Sequence, residues 1–299
     1  MTRPSLRAGA LAGAAAATLL LSACSTSADS TTPGDATITV AAAFYPLQYV
    51  AERVGGDAVD VIGLTPPGAE PHDFELPPSA VREVRDADLV LYLSGFQPTV
   101  DDAVEATGAH GLDATDVVPL VGGDGTHVGA DPHFWLDPTL LDLYGTAVAE
   151  RLAEIDPAHA DLYRANDAAL SRDLAELDAQ YSAALTSCQR TTILTSHEAF
   201  GYLATRYGLT QVGLSGIDPD AEPSPARLRE VRALAASVGA TTVYVETLVD
   251  PSVVEAFAHD AGLSVATLDP IGGLVAPGDD YLIIMRRNLD VLKEGLGCA

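Results

Sequence analysis

The chain has 299 residues, 47% hydrophobic and 19% charged, enough apolar material for one large or two ordinary globular domains. Acids number 42 against 16 basic residues, a formal net charge of -26, and the only lysine is Lys293. That balance excludes a phosphate-binding surface, and with it nucleic acid as a partner. A negative field attracts cations, and it also keeps an exported protein soluble.

In chain order, MTRPSLR carries Arg3 and Arg7, and AGALAGAAAATLLL is an apolar run of signal-peptide length, too short to span a bilayer comfortably. It ends in Leu21, Ser22, Ala23 and Cys24, small residues followed at once by Cys, which resembles a bacterial lipobox. The pattern predicts a signal peptide over 1–23 and lipidation of Cys24. It places the protein outside the cytoplasm, anchored by lipid to the outer face of the cell membrane; stable anchoring takes about two chains. The Ser/Thr-rich stretch over 24–36 has no apolar periodicity and reads as a flexible tether.

From Thr37 a strand–helix rhythm begins. TITVAAAF is a buried strand, PLQYVAERVGG a helix closed by Gly, and AVDVIGL a second strand. The loop TPPGAEPHDFELPP follows, then the helix PSAVREVRDA and the strand DLVLYLSG. A helix near Thr99–Thr107, a strand TDVVPL and a Gly-rich loop VGGDGTHVGA lead to ADPHFWLDP, which holds the only Trp. LDPTLLDLYGTAVAERLAEI is an amphipathic helix with Asp137 as its N-cap. The segment 157–187 has no strand signal and no internal Gly, and reads as one long helix of about 28 residues, roughly 40 Å. The rhythm then resumes with TTILTS, EAFGYLATRYG, TQVGL, PARLREVRALAASVG, TTVYVET, PSVVEAFAHDAG, LSVATLD and YLIIMRRNLDVLKEG.

Alternating strands and helices predict an α/β protein of two lobes, each a parallel sheet covered by helices. The N-terminal lobe spans 37–156, the long rigid helix over 157–187 joins it to the second, and the C-terminal lobe spans 188–299. Cys188 and Cys298 remain after Cys24. An even pair outside the cytoplasm predicts a disulfide, with two separate buried thiols as the alternative.

Three of the seven histidines share one kind of position. His72 lies in the loop after the second strand, His133 after the VVPL strand, and His197 directly after TTILTS; Asp269 follows the strand LSVATL in the same way. Ligands of open parallel sheets bind beyond the carboxyl ends of the strands. If the lobes face each other, the four residues meet in the interlobe cleft. Three imidazoles and one carboxylate form a closed tetrahedral set for Zn²⁺, with Zn–N near 2.0–2.1 Å. The spacings match no short metal motif, so the residues alone leave chance placement open. His110, His159 and His259 read as surface residues. His127, close to Asp124 in the Gly-rich loop, is either a solvated loop residue or a collector of cations.

GAEPHDFELPPS, ADPHFWLDP, TSHEAFGYLATRYGL, GIDPDAEPSPARL, VYVET and ATLDP together resemble the cluster A-I metal-binding lipoproteins of ABC importers, which carry zinc or manganese. The resemblance runs from about Thr37 to Gly295. It implies two α/β lobes bridged by a long helix, with the metal between them. It also implies ligation by His72 in PHDFE, His133 in PHFWLDP, His197 in TSHEAF and Asp269 before Pro270; water or Glu70 is the alternative to Asp269. Manganese binders of the family tend to carry Glu at the third position. Three imidazoles suit borderline Zn²⁺, whereas Mn²⁺ favours more carboxylate, so Zn²⁺ is the expected transported ligand ahead of Mn²⁺. Glu246 in VYVET is a candidate to orient a ligating imidazole, or else to cap backbone groups. Many zinc members carry a long His- and acid-rich loop before the second ligand, and here that loop is short with one His.

The implied function is capture of Zn²⁺ by a monomeric, non-enzymatic protein that delivers it to a membrane permease driven by a cytoplasmic ATPase. A stiff linking helix favours release by local loop movement. Ligation by imidazoles of ordinary pKa predicts affinity falling from about pH 6.5 toward 5. Two other classes stand beside this one. HEAFG begins like a zinc-hydrolase helix motif, with Glu198 as its base, but Gly201 stands where that motif needs a second His. A surface adhesin is compatible with the lipid anchor.

Overall fold

Short apolar, β-branched runs punctuated by Gly and Pro build two parallel sheets, whose central strands are buried because helices lie on their faces. The computed structural model describes residues 37–122 and 129–299. The leader, Cys24, the tether, and the loop residues Asp124 and His127 lie outside the described residues.

The first sheet contains β1 (Ile38–Ala42), β2 (Val59–Gly63), β3 (Leu89–Tyr92) and β4 (Gly111–Asp113), in the order β2-β1-β3-β4, all parallel. Its helices are α1 (Tyr45–Gly55), α2 (Pro78–Asp86) and α3 (Pro98–Thr107). Each carries Pro in its first turn, where a missing N–H costs nothing. A two-stranded antiparallel ribbon of β5 (Val121–Gly122) and β6 (Ala130–Asp131) follows. Then come α4 (Pro138–Ile155) and α5 (Ala160–Leu185). The second sheet contains β7 (Thr192–Thr195), β8 (Thr210–Gly213), β9 (Thr242–Val245) and β10 (Ser264–Thr267), in the order β10-β9-β7-β8, again all parallel. Its helices are α6 (Gly201–Arg206), α7 (Pro225–Val238), α8 (Ser252–Ala261) and α9 (Tyr281–Leu296). The α/β class with two parallel sheets is as expected, and Asp137 caps α4 by accepting from Thr139 N at 2.9 Å.

Three local expectations change. TDVVPL is not a strand: Asp113 accepts from Thr115 N at 3.0 Å and starts a 3-10 turn over Ala114–Asp116, and Pro119 lacks a ladder donor. The fourth strand is instead the short β4, so His133 follows the antiparallel ribbon and not a strand of the main sheet. The long helix starts after a 3-10 turn at Pro157–His159 and has 26 residues, about 39 Å of rise. The helix expected from Glu198 starts at Gly201, because Glu198 N donates to Gly216 O at 2.8 Å and holds the preceding residues in a turn.

The two sheets share one apolar core, in which Phe44, Leu47, Phe134, Trp135, Tyr144, Leu170, Tyr181, Phe200, Tyr281 and Leu292 are fully or almost fully buried. Buried aromatics carry their polar ends to backbone acceptors on the other side. Trp135 Nε1 donates to Pro270 O at 2.7 Å, Tyr281 OH to Trp135 O at 2.6 Å, and Tyr181 OH to Met285 O at 2.6 Å. Tyr49 and Tyr281 rings lie 5.4 Å apart. Burial of side chains this large contributes on the order of 2–3 kcal/mol each, so separating the halves is costly.

Cys188 and Cys298 form a disulfide across 110 positions. It ties the C-terminal tail to the segment after α5, beside the backbone bonds Arg190 N to Leu296 O and Gln189 N to Gly297 O. A closed loop of this length restricts the unfolded chain, so Cys188→Ser/Cys298→Ser should lose about 2–4 kcal/mol. Urea unfolding with and without reductant checks this: the wild type should fall to the variant's midpoint on reduction, and the variant should not respond.

Candidate metal centre

Three imidazoles from three separate segments meet at one point. His72 sits in the loop between β2 and α2, where Glu70 Oε2 accepts from His72 N at 2.8 Å. Its loop is held to the second half by Gly68 N donating to Leu274 O at 2.8 Å, and its ring stands edge-on to Phe96 at 4.7 Å. Gly68 needs its freedom here, with φ at +83°. His133 follows β6, and Asp131 Oδ1 accepts from its backbone N at 3.0 Å and its Nδ1 at 2.8 Å. His197 follows β7, with Glu246 at the end of the neighbouring β9. Glu246 Oε1 accepts from His197 N at 3.1 Å and from Ser196 Oγ at 2.5 Å, while its Oε2 contacts His197 Nδ1.

These contacts decide the tautomers. A carboxylate at Nδ1 holds the proton there, so His133 and His197 each present an Nε2 lone pair. His72 Nε2 lies 3.3 Å from His133 Nε2, and His197 Nε2 lies 3.5 Å from His133 Nε2. All three ligand atoms lie within 4.8 Å of one another. A His72 Nε2–H can satisfy one lone pair and leaves the other without a donor; a divalent cation satisfies all three. Tetrahedral ligands at Zn–N distances stand about 3.3–3.4 Å apart, and right-angled neighbours at the same bond length about 2.9 Å. The two separations from His133 Nε2 are close to the tetrahedral edge.

The cavity they line with Glu70, Trp135, Glu246 and Thr247 has a volume of ≈ 20 Å³. That is room for one ion or water, far below the roughly 300 Å³ of small organic-ligand sites. His133 and His197 are 1% and 3% exposed, and His72 is partly exposed. Burial, followed by the other two rings, pushes the His72 imidazole down to about 2. Burial also lowers His133, against the opposing pull of Asp131. The imidazole titration expected near pH 6.5 therefore moves out of that window for His72. Burial pushes the Glu70 carboxyl up to about 7, against the His72 and Asp73 N–H groups that favour its anion.

Asp269, expected as the fourth ligand, is not brought into this group among the described residues. Its Oδ1 accepts from Ile271 N at 2.7 Å, and its backbone is clamped by Asn288, which accepts from Asp269 N at 2.9 Å and donates to Asp269 O at 2.7 Å. Burial raises its carboxyl pKa. Glu198, the candidate base of a hydrolase, lies 3.4 Å from Arg227 Nη2 and does not line the cavity. Sequence reasoning missed Asp131, although Asp-Pro-His places its carboxylate two residues before the ring, within reach of an Asx-type turn. Phe96, which backs the His72 ring, carried no sequence signal.

The family described as "Zinc-uptake complex component A periplasmic" matches residues 40–295. The high-affinity zinc uptake system protein ZnuA of Bacillus subtilis is 31% identical over 305 residues, covering 94% of this chain and 95% of that protein. The zinc-binding protein AdcA of Streptococcus pyogenes is 31% identical over 285 residues, covering 86% of this chain and 55% of that protein. The chain thus spans about half the length of the streptococcal AdcA relatives it matches. Among solved structures, the laminin-binding protein Lmb of Streptococcus agalactiae, described as bifunctional with adhesin and metal-transporting activity, superposes with a TM-score of 0.80. It has 31% identity and covers 87% of this chain and 99% of that one.

The His72 shift carries a stability consequence. The unfolded chain takes a proton on His72 below its ordinary value near 6.5, and the folded chain refuses it down to about 2. The metal-free protein therefore loses stability through His72 as pH falls below 6.5, by up to about 1.4 kcal/mol per pH unit. Glu70 acts in the opposite sense between its ordinary value and about 7, because there the folded state holds the extra proton. The difference between wild type and His72→Gln isolates the histidine: between pH 6.5 and 5, chemical unfolding should show the wild type losing ground to the variant.

Proposed function

Because this chain belongs to the zinc-uptake complex component A family, we propose that it captures Zn²⁺ between His72, His133 and His197 and delivers it to an ABC importer. The observation that carries this reading is the convergence of three imidazole nitrogens within 4.8 Å of one another, two of the separations near a tetrahedral edge, in a cavity sized for one ion. Membership makes the chain a solute-binding transporter component. Its partners in this reading are a membrane permease and the ATPase that drives it.

The two sheets act as the capture halves, with 37–156 and 188–299 as lobes and 157–187 as the spine. Residues 1–23 are the signal peptide, Cys24 the lipid attachment point and 24–36 the tether, so a monomeric protein works at the outer face of the membrane. Zn²⁺ fits the site better than Mn²⁺, because neutral imidazoles are borderline ligands and the spacing is tetrahedral. Glu246 holds the His197 ring from behind. Solvent or Glu70 completes the coordination, since Glu70 lines the cavity and Asp269 is engaged by its own loop. Local movement of the His72 loop releases the ion, because the shared core resists rotation of the halves.

Purified protein should bind one Zn²⁺ per chain in a competition titration, with Mn²⁺ at least about a hundredfold weaker. Zn²⁺ at a hundredfold above its Kd should raise unfolding free energy by about 2.7 kcal/mol. His133→Ala and His197→Ala should abolish that gain; equal stabilisation in these variants would sink the site.

A second expectation concerns pH. Arriving Zn²⁺ favours the Glu70 anion, so binding expels its proton below about pH 7 and affinity drops up to about tenfold per unit of acidification. Glu70→Gln should flatten the profile between pH 6 and 7 and cost more affinity than Asp269→Ala.

The adhesin reading rests on the likeness to the laminin-binding protein of S. agalactiae. Laminin binding by immobilised protein that survives metal removal would support it.

A further inference from the structure

The stretch HEAFG departs from the hydrolase motif at Gly201, and metal capture by three histidines does not account for a glycine there. The structure gives residue 201 a neighbour from the other half of the molecule. A Cβ built on Gly201 would lie 2.8 Å from Asp131 Oδ2, inside van der Waals contact, with Gln211 Oε1 next at 3.8 Å. Asp131 is 9% exposed, and its other oxygen, Oδ1, is committed to His133 N and Nδ1. The following residue, Tyr202, donates its OH to Asp131 O at 2.9 Å and accepts from Val121 N at 2.8 Å. The start of α6 thus grips the β5–β6 ribbon from the second half, with a bare Cα facing the carboxylate.

We infer that Asp131 is a positioning residue for His133, and that Gly201 leaves the space in which its carboxylate sits. The inference rests on the reading of the three imidazoles as the Zn²⁺ site. Asp131 keeps the proton on Nδ1 and so turns the Nε2 lone pair toward the ion. A carboxylate is rigid: displacing Oδ2 with a methyl group at 201 swings Oδ1 off Nδ1. His197 is oriented by Glu246 from an adjacent strand of its own sheet, whereas the His133 clamp is completed across the two halves. The ring therefore stays aimed only while α6 and the ribbon remain docked. A role confined to packing predicts that Gly201→Ala lowers the melting temperature and leaves Zn²⁺ affinity unchanged.

The test is a Zn²⁺ competition titration on the full chain as wild type, Asp131→Ala, Asp131→Asn, Gly201→Ala and Asp131→Ala/Gly201→Ala, with melting temperatures alongside. Asp131→Ala should weaken Zn²⁺ about 10–100-fold, as loss of an orienting partner does. Asp131→Asn keeps an oxygen acceptor and should fall between it and the wild type. Gly201→Ala should weaken binding at least about fivefold, lower the melting temperature no further than Asp131→Ala does, and cost nothing further in the Asp131→Ala background. In ¹⁵N NMR of the metal-free protein, the His133 Nδ1–H should be exchange-protected in the wild type and lose protection in Asp131→Ala and Gly201→Ala. If the wild type binds Zn²⁺ and both single variants bind within twofold of it, or if the two penalties add, the inference is overturned. If the wild type itself fails to bind Zn²⁺, the site reading falls first, and the inference that rests on it falls with it.

Discussion

Imidazole nitrogens with lone pairs turned on one another repel, and a fold that holds three of them together is shaped around a cation. His133 Nε2 stands 3.3 Å from one neighbour and 3.5 Å from the other, and Asp131 and Glu246 keep the Nδ1 protons on the far side of two rings. Everything near the site serves that arrangement. The carboxylates choose the tautomer, Glu70 accepts from the His72 backbone N–H, and Phe96 and Trp135 pack against the His72 and His133 rings. With the rings so placed, the ligand-ordering cost falls on folding, and little remains to be met when the ion arrives.

That preorganisation depends on the halves being one body. Trp135 follows the His133 turn, donates to Pro270 O and accepts from Tyr281 OH. A residue two positions from a ligand is thus bonded to both the loop after β10 and the start of α9. With α5 packed along α1, α4 and α9, a wide rotation would tear aromatic contacts that hold the core. The His72 loop is the exception. It is partly exposed, among the described residues no carboxylate is hydrogen-bonded to its ring, and its tie to the second half includes the backbone bond from Gly68 N to Leu274 O. A loop of that kind belongs to the low-stability end of a structure, where functional motion is found.

The electrostatics follow burial more than the overall charge. The chain is strongly acidic, yet beside the rings burial pushes the half-buried Glu70 carboxyl up to about 7 and holds the His72 ring neutral. A carboxyl of raised pKa beside the rings carries less negative charge before a cation enters than after, because the cation favours its anion.

The order of strands and helices was legible in the sequence because a period of two and a period of 3.6 write themselves into the apolar pattern, as TTVYVET and PARLREVRALAASVG do. His72 and His197 were legible because each follows a strand of a parallel sheet, His133 was found although it follows the antiparallel ribbon, and the motifs around all three resemble a known family. The TDVVPL segment was misread: its apolar run looks like a strand, and only the Asp113 turn and the pairing of β3 with β4 exclude it. Tertiary structure alone brought Asp131 onto the His133 ring, set Gly201 against the Asp131 carboxylate, and turned Asp269 Oδ1 to Ile271 N. The physical reason is range. Periodicity and turn chemistry act over a few neighbours and leave a local trace, whereas a contact between residues 131 and 201 exists only once two distant segments have packed, and no local pattern records it.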